Sequence, residues 1–188
     1  MKQILFLIAL FLIFWSCKTT TKKTDKAIEK LESFKQEYGK KFFEYDAIDY
    51  YQNDFDESKV GELYSNELKT EFSTLKKEII LGDIPKNITD LSFIRKLEKV
   101  GYKKSYINKS KFQSIDKIFI EKKASENLST ACVYVYRDIL IFRKEGKVVG
   151  TSKICFECMA NQINGTTANT ENFGQDGDYE ELSKILRQ

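Results

Sequence analysis

The chain contains no histidine. That absence removes Ser-His and Cys-His nucleophilic pairs, zinc sites built on imidazole, and the usual general base near neutral pH. An enzyme built on this sequence would have to work with carboxylates, Lys, Tyr or Cys. Proline is nearly absent too, with Pro85 the only one, and arginine is scarce at 4 residues against 27 Lys. No nucleotide-binding loop and no convincing pair of catalytic acids stands out. Lys and Glu interleave through most segments, and the net charge is only +3. A mixed surface of this kind lacks the basic stripe that nucleic acid requires, so no nucleic-acid partner is expected.

What is present suits one globular domain. Of the 188 residues, 41% are hydrophobic, and aromatics are abundant at 14 Phe and 10 Tyr. A chain of this size buries most of the surface that its unfolded form exposes, so it needs neither disulfide nor metal merely to fold.

The N-terminus carries a targeting pattern. Met1-Lys2 is a short basic start, and Ile4 to Trp15 then runs without a polar residue. Such a run matches the core of a signal peptide and falls short of the roughly 20 residues that span a bilayer as a helix. Ser16, a small residue, precedes Cys17. Residues 1–17 thus resemble bacterial lipoprotein precursors, although Phe14 and Trp15 depart from the aliphatic and small residues usual before that cysteine. The resemblance implies cleavage before Cys17 and attachment of diacylglycerol to its sulfur. It makes residues 1–16 a signal peptide, and it implies a palmitate-bearing lipoprotein of the cell envelope, held to the membrane by its lipid. A non-cleaved membrane anchor and an ordinary secretory signal are the alternatives. Lys18 to Lys26 has no apolar residue and reads as the rest of a flexible tether over 17–26. No acidic cluster follows Cys17, so a periplasm-facing location is expected.

Residues 27–188 read as one α+β domain, with N-terminal helices packed on one face of a small antiparallel β-meander and a C-terminal helix. Ile28, Leu31, Phe34 and Tyr38 form a helical stripe. A second helix is expected over Ser58 to Leu81, with Gly82 at its C-cap, and a third over Asp90 to Val100, capped by Thr89 and ended by Gly101. Ile115 to Lys123 reads as a strand. Ala131 to Arg143 and Val148 to Met159 flank the turn Lys144-Glu145-Gly146-Lys147, a strong hairpin signal. Asn161 to Gly177 reads as a long loop. Asp178 is expected to cap a last helix, Tyr179 to Leu186, with Glu181 at the capping-box position.

The chemistry worth weighing lies in the cysteines. With Cys17 taken by lipid, Cys132, Cys155 and Cys158 remain, an odd number in an oxidising compartment. Pairing Lys144 with Lys147 puts Cys132 opposite Met159, and one bulge would bring it opposite Cys158. Cys132–Cys158 is therefore the first choice for a disulfide, and Cys155–Cys158 the second. Three readings stay open: a structural bridge with a buried thiol, a redox-active Cys155-Phe156-Glu157-Cys158 motif, and a metal or cluster site. A CxxC motif of the thioredoxin type draws its reactivity from the start of a helix, whereas this one ends a strand. Zinc would need a fourth ligand, and no histidine exists to supply it.

Arg137-Asp138 stands out as a charged pair in an apolar strand. It reads first as an ion pair and second as a contact to a carboxylate or phosphate ligand. The acidic run Asp176 to Glu181 lacks EF-hand spacing, and helix capping explains it more simply than calcium. The stretch from Cys132 through Tyr136-Arg137-Asp138 to Ile154-Cys155-Phe156-Glu157-Cys158 resembles small, uncharacterised bacterial envelope proteins, a likeness that covers about residues 130–182 and implies no activity. The expectation is thus a non-enzymatic envelope lipoprotein with no cofactor and no metal. It would bind an envelope protein or a small ligand, or serve the envelope structurally. The alternative is a thiol-dependent redox or metal-binding protein that uses Cys132, Cys155 and Cys158.

Overall fold

The computed structural model describes residues 39–65, 70–125 and 131–187. The stripe Ile28 to Tyr38, the tether and Cys17 lie outside them, and the account below concerns the unit from Lys40 onward.

Ten elements follow in chain order: β1 (Ala47–Gln52), α1 (Val60–Ser65), α2 (Glu71–Ile80), α3 (Leu97–Val100), β2 (Lys103–Tyr106), α4 (Phe112–Ile118), β3 (Asp138–Lys144), β4 (Lys147–Cys155), β5 (Ala160–Asn164) and α5 (Asp178–Arg187). Short 3₁₀ turns lead into α1, α3 and α4. The five strands form one antiparallel sheet in the order β2-β1-β3-β4-β5. The class is α+β. No helix among the described residues is long and apolar enough to cross a membrane.

The central strand explains the layering. β3 is the run Asp-Ile-Leu-Ile-Phe-Arg-Lys, and its first five residues are all buried. Alternate side chains of a strand point to opposite faces, so a strand buried throughout must be covered on both. Leu140 and Phe142 join Phe43, Ile48, Ile115, Ile118, Leu182 and Ile185 in one core cluster. Ile139 and Ile141 join Ile79, Ile80, Phe93, Leu97 and Val100 in another. Helices α4 and α5 therefore supply one core and α2 and α3 the other, rather than helices covering a single face as expected.

Several boundaries differ from the sequence expectation, each for a local reason. Ser58 to Leu81 is not one helix: Thr70 caps a new start, its hydroxyl accepting from the Ser73 amide at 3.0 Å. Tyr64 and Phe72, large apolar residues of that span, stay exposed. The expected strand from Ile115 is instead α4, because Ile115, Ile118 and Phe119 fall at helical spacing and all point into the core. Thr89 does not cap the third helix, which begins as a 3₁₀ turn behind Leu91, but Gly101 does end it with a left-handed φ of 108°. The loop expected from Asn161 begins only at Gly165, because Asn161 to Asn164 pair with β4.

The hairpin turn forms as read, with Lys144 opposite Lys147, but its strands are shorter than the expected Ala131 to Arg143 and Val148 to Met159, running Asp138–Lys144 and Lys147–Cys155. Its bulge sits beside the turn: Arg143 faces Val148 and Phe142 faces Gly150, leaving Val149 as the extra residue. A Cβ on Gly150 would lie 2.2 Å from the Phe43 ring, so this bare position is what lets Phe43 lie flat on β4.

Candidate functional site

The sheet's far end gathers the residues singled out in the sequence. β3 begins at Asp138 and β4 ends at Cys155, so Cys132 and Cys158 both lie beyond the ladder. The bulge shifts the register away from, not toward, a direct Cys132–Cys158 pairing across the hairpin. What brings the two together is the turn 156–159, which folds the chain back into β5. Cys132 and Cys158 form a disulfide, with Cα atoms 6.1 Å apart, inside the usual range for a bridge. Val133, Tyr134 and Met159 remain exposed around it.

Cys155 is the free cysteine among the described residues, and it is buried. It clusters with Tyr136, Cys158 and Ala160. Its sulfur lies 3.9 Å from a carboxylate oxygen of Glu157. Burial pushes the thiol up, and the amide donors of Cys158 and Val135 offset that only in part. The thiolate is the reactive form, so this environment keeps the thiol inert at neutral pH. No helix follows Cys158 to reverse the effect. With Cys132 and Cys158 bridged, Cys155 is the single thiol left among the described residues to ligate a metal. Among the described residues no group of three or more Cys, Asp or Glu is placed to hold a metal ion.

Arg137 and Asp138 point into different contacts. The Arg137 Nε donates to the Phe55 carbonyl at 2.9 Å, and its Nη1 lies 3.0 Å from Glu157. That second contact is an ion pair by distance without hydrogen-bond alignment, since Nη1 is buried and makes no geometrically sound bond. Glu57 lies 3.7 Å from Nη2. Asp138 is fully buried, accepts a short hydrogen bond from the Tyr50 hydroxyl, and faces Arg187 at 3.7 Å. Burial pushes its carboxyl up, opposed by the Tyr50 bond and by Arg187. Both residues are thus committed to the protein itself.

The acidic run before α5 is committed in the same way. Asp178 opens α5, but both its oxygens take the Lys122 ammonium at 2.6 Å in a pair that is about nine-tenths buried, in place of the capping role expected. Asp176 accepts from the Ser125 hydroxyl, and Glu180 pairs with Lys184. The loop that precedes them packs on the first core cluster through Ala168 and Phe173 and reaches Lys40, Glu121 and Lys122. Its named contacts do not fall on the cysteines.

Sequence reasoning missed the most unusual residue of this end. Lys153 is completely buried on β4. Its ammonium donates to the carbonyls of Gly82 at 2.6 Å and Ile84 at 2.9 Å, and lies 4.4 Å from the centre of the Tyr136 ring. Burial lowers it from 10.5 to about 7, with Asp83 and Glu78 opposing. The signal that could have found it is strand alternation: Lys153 shares a face with the buried Cys155. Compared with known proteins, the chain matches no family model, no curated protein and no solved structure.

Proposed function

We propose that this chain is an exported protein of the bacterial envelope, lipid-anchored through Cys17 and facing the periplasm, whose domain works by binding rather than by catalysis. The observation that carries the proposal is the Cys132–Cys158 bridge. Disulfides form and persist in oxidising compartments and are rare in the cytosol. An export signal and a bridge are independent features, one at the N-terminus and one at the end of the sheet, and both favour the same compartment. The binding role follows from how the candidate catalytic groups are used. Arg137, Asp138 and Lys153 are each occupied by internal partners, and Cys155 is buried.

The anchor is tested by labelling growing cells with a fatty-acid analogue. The wild-type chain should take up label and a Cys17→Ser variant should not, and a labelled variant would refute the anchor. Alkylation followed by mass spectrometry, without reductant, should modify one cysteine of the folded domain after unfolding. The rival reading, thiol-dependent redox chemistry at Cys132, Cys155 and Cys158, is favoured by the closeness of Cys155 to the bridge. It predicts that mild reductant opens the bridge in the folded protein.

A further inference from the structure

A polar cleft opens where the chain leaves β1. Its volume is about 390 Å³, and its walls come from the segment after β1, from α1 and α2, and from the end of α3. Asn53 sits at its back, only 7% exposed, and the Nδ2 of its amide has no hydrogen-bond partner. A buried donor left unpaired costs roughly 1–3 kcal/mol, so folded proteins retain few of them. Gly101 forms the adjoining wall. A Cβ there would lie 3.5 Å from the Asn53 Nδ2 and would narrow the approach to it.

The charges at the rim separate into used and unused. Asp54 pairs with Lys103 at 2.8 Å, and Asp56 accepts from the Ser58 amide at 2.9 Å. Lys59, Lys76 and Glu62 also line the cleft; their side chains make no hydrogen bond or ion pair with a described residue, although the Lys59 charge acts on the Asp56 carboxylate. The carboxylates do not converge into a group able to hold a metal ion. The cleft therefore offers one neutral donor at the back, the Lys76 ammonium, the Glu62 carboxylate, and a Lys59 ammonium that Asp56 offsets in part.

We infer that this cleft binds a small zwitterion of the amino-acid or short-peptide class. A ligand carboxylate satisfies the Asn53 amide donor and the charges of Lys59 and Lys76, while a ligand ammonium meets Glu62. Charge-assisted bonds of this kind are about twice as strong as neutral ones. A simple anion would leave Glu62 facing like charge, and a simple cation would meet Lys59 and Lys76. The half-buried Phe55 and Leu63 give the cleft an apolar side on which a small side chain can rest. This inference rests on the reading of the domain as a binding module, but not on its lipid anchor.

Calorimetric titration of the full chain with L-alanyl-L-alanine tests it, beside the N-acetylated and C-amidated forms of the same dipeptide. The zwitterion should bind, and each capped form should bind at least about tenfold more weakly. Asn53→Ala should weaken binding about tenfold. Because Asn53 is buried and its loss could disturb folding, Lys76→Gln on the cleft wall is the second variant. It should keep the wild-type melting temperature and still bind several-fold more weakly. No binding at millimolar dipeptide, equal binding of the capped forms, or a folded Lys76→Gln protein that binds as wild type would each overturn the inference. None of these outcomes bears on fatty-acid labelling at Cys17, so the anchor and the cleft fail separately.

Discussion

Lys153 should make the stability of this domain rise with pH, and Lys153→Met should abolish that rise. The lysine is completely buried, and its folded pKa of about 7 lies well below its ordinary 10.5. Between those values the unfolded chain binds a proton that the native state releases. Stability tied to this group is therefore complete above pH 10.5 and is lost as pH falls toward 7, with a slope of at most about 1.4 kcal/mol per pH unit. At pH 7 the cost of stripping that proton is about 4 kcal/mol, and at pH 9 it is about 2 kcal/mol. Methionine keeps the length of the stem and carries no charge. The substitution removes the cost but orphans the carbonyls of Gly82 and Ile84, which sit just past the end of α2 where helix carbonyls lack intrahelical partners. Each orphan costs about 1–3 kcal/mol at any pH. The two effects roughly cancel at pH 7. At pH 9 the variant should be the less stable protein, having lost about 2 kcal/mol relative to wild type over that interval. Denaturant unfolding of both proteins at the two pH values measures this directly. Asp83 and Glu78, whose charges act on Lys153, and the Cys155 thiol are present in both proteins, so the comparison isolates the lysine. Parallel pH profiles would refute the reasoning and would mean that Lys153 keeps its proton in the fold.

Opening the Cys132–Cys158 bridge, which closes a loop of sequence separation 26, should cost about 3–4 kcal/mol, read as a lower denaturation midpoint of a Cys132→Ser, Cys158→Ser protein. Cys155→Ser should leave the bridge intact and change stability far less. Gly150→Ala should destabilise by about 2–3 kcal/mol, because its Cβ would meet the Phe43 ring, and Phe43→Leu should recover part of that loss in a double-mutant cycle. Tyr50→Phe leaves the buried Asp138 carboxylate without its hydroxyl donor and should cost about 2 kcal/mol at pH 7. Burial already raises the Asp138 carboxyl, so the penalty should shrink as pH falls through that raised value and the group protonates.

How much of this was legible depends on where each element's stability comes from. The β3–β4 hairpin was readable because its signals are local, a β-branched run on each side of Lys144-Glu145-Gly146-Lys147. Gly101 and α5 were readable for the same reason. β1 was not, because Asp49 interrupts its apolar residues. That carboxylate is 3% exposed and is held by Arg143 at 2.9 Å and Lys104 at 3.2 Å, partners from β3 and β2 that no local pattern can show. β2 gave no signal either, since all four of its residues are exposed and its second edge is unpaired in the sheet order. Lys153 gives no signal of its own within the segment Val148 to Met159. Its burial depends on the carbonyls of Gly82 and Ile84, about seventy residues away in sequence.

The scarcity of arginine has a structural counterpart. Three of the four arginines hold fixed geometry. Arg143 joins Asp49 to the Gly146 carbonyl in the hairpin turn. Arg187 lies over the Phe156 ring and toward Asp138. Arg137 ties the Phe55 carbonyl beside the cleft to Glu157 in the cysteine turn. Each of these jobs suits a planar guanidinium, whose donors are held in a fixed fork and whose flat face stacks on a ring, better than the compact point charge of an ammonium. The lysines of the described residues, in contrast, mostly lie at the surface, where a point charge on a flexible stem suffices. Arg137 binds two segments of this chain to each other. Through that one side chain, the loop that carries Asn53 and the turn that carries Cys158 are fastened to a single point.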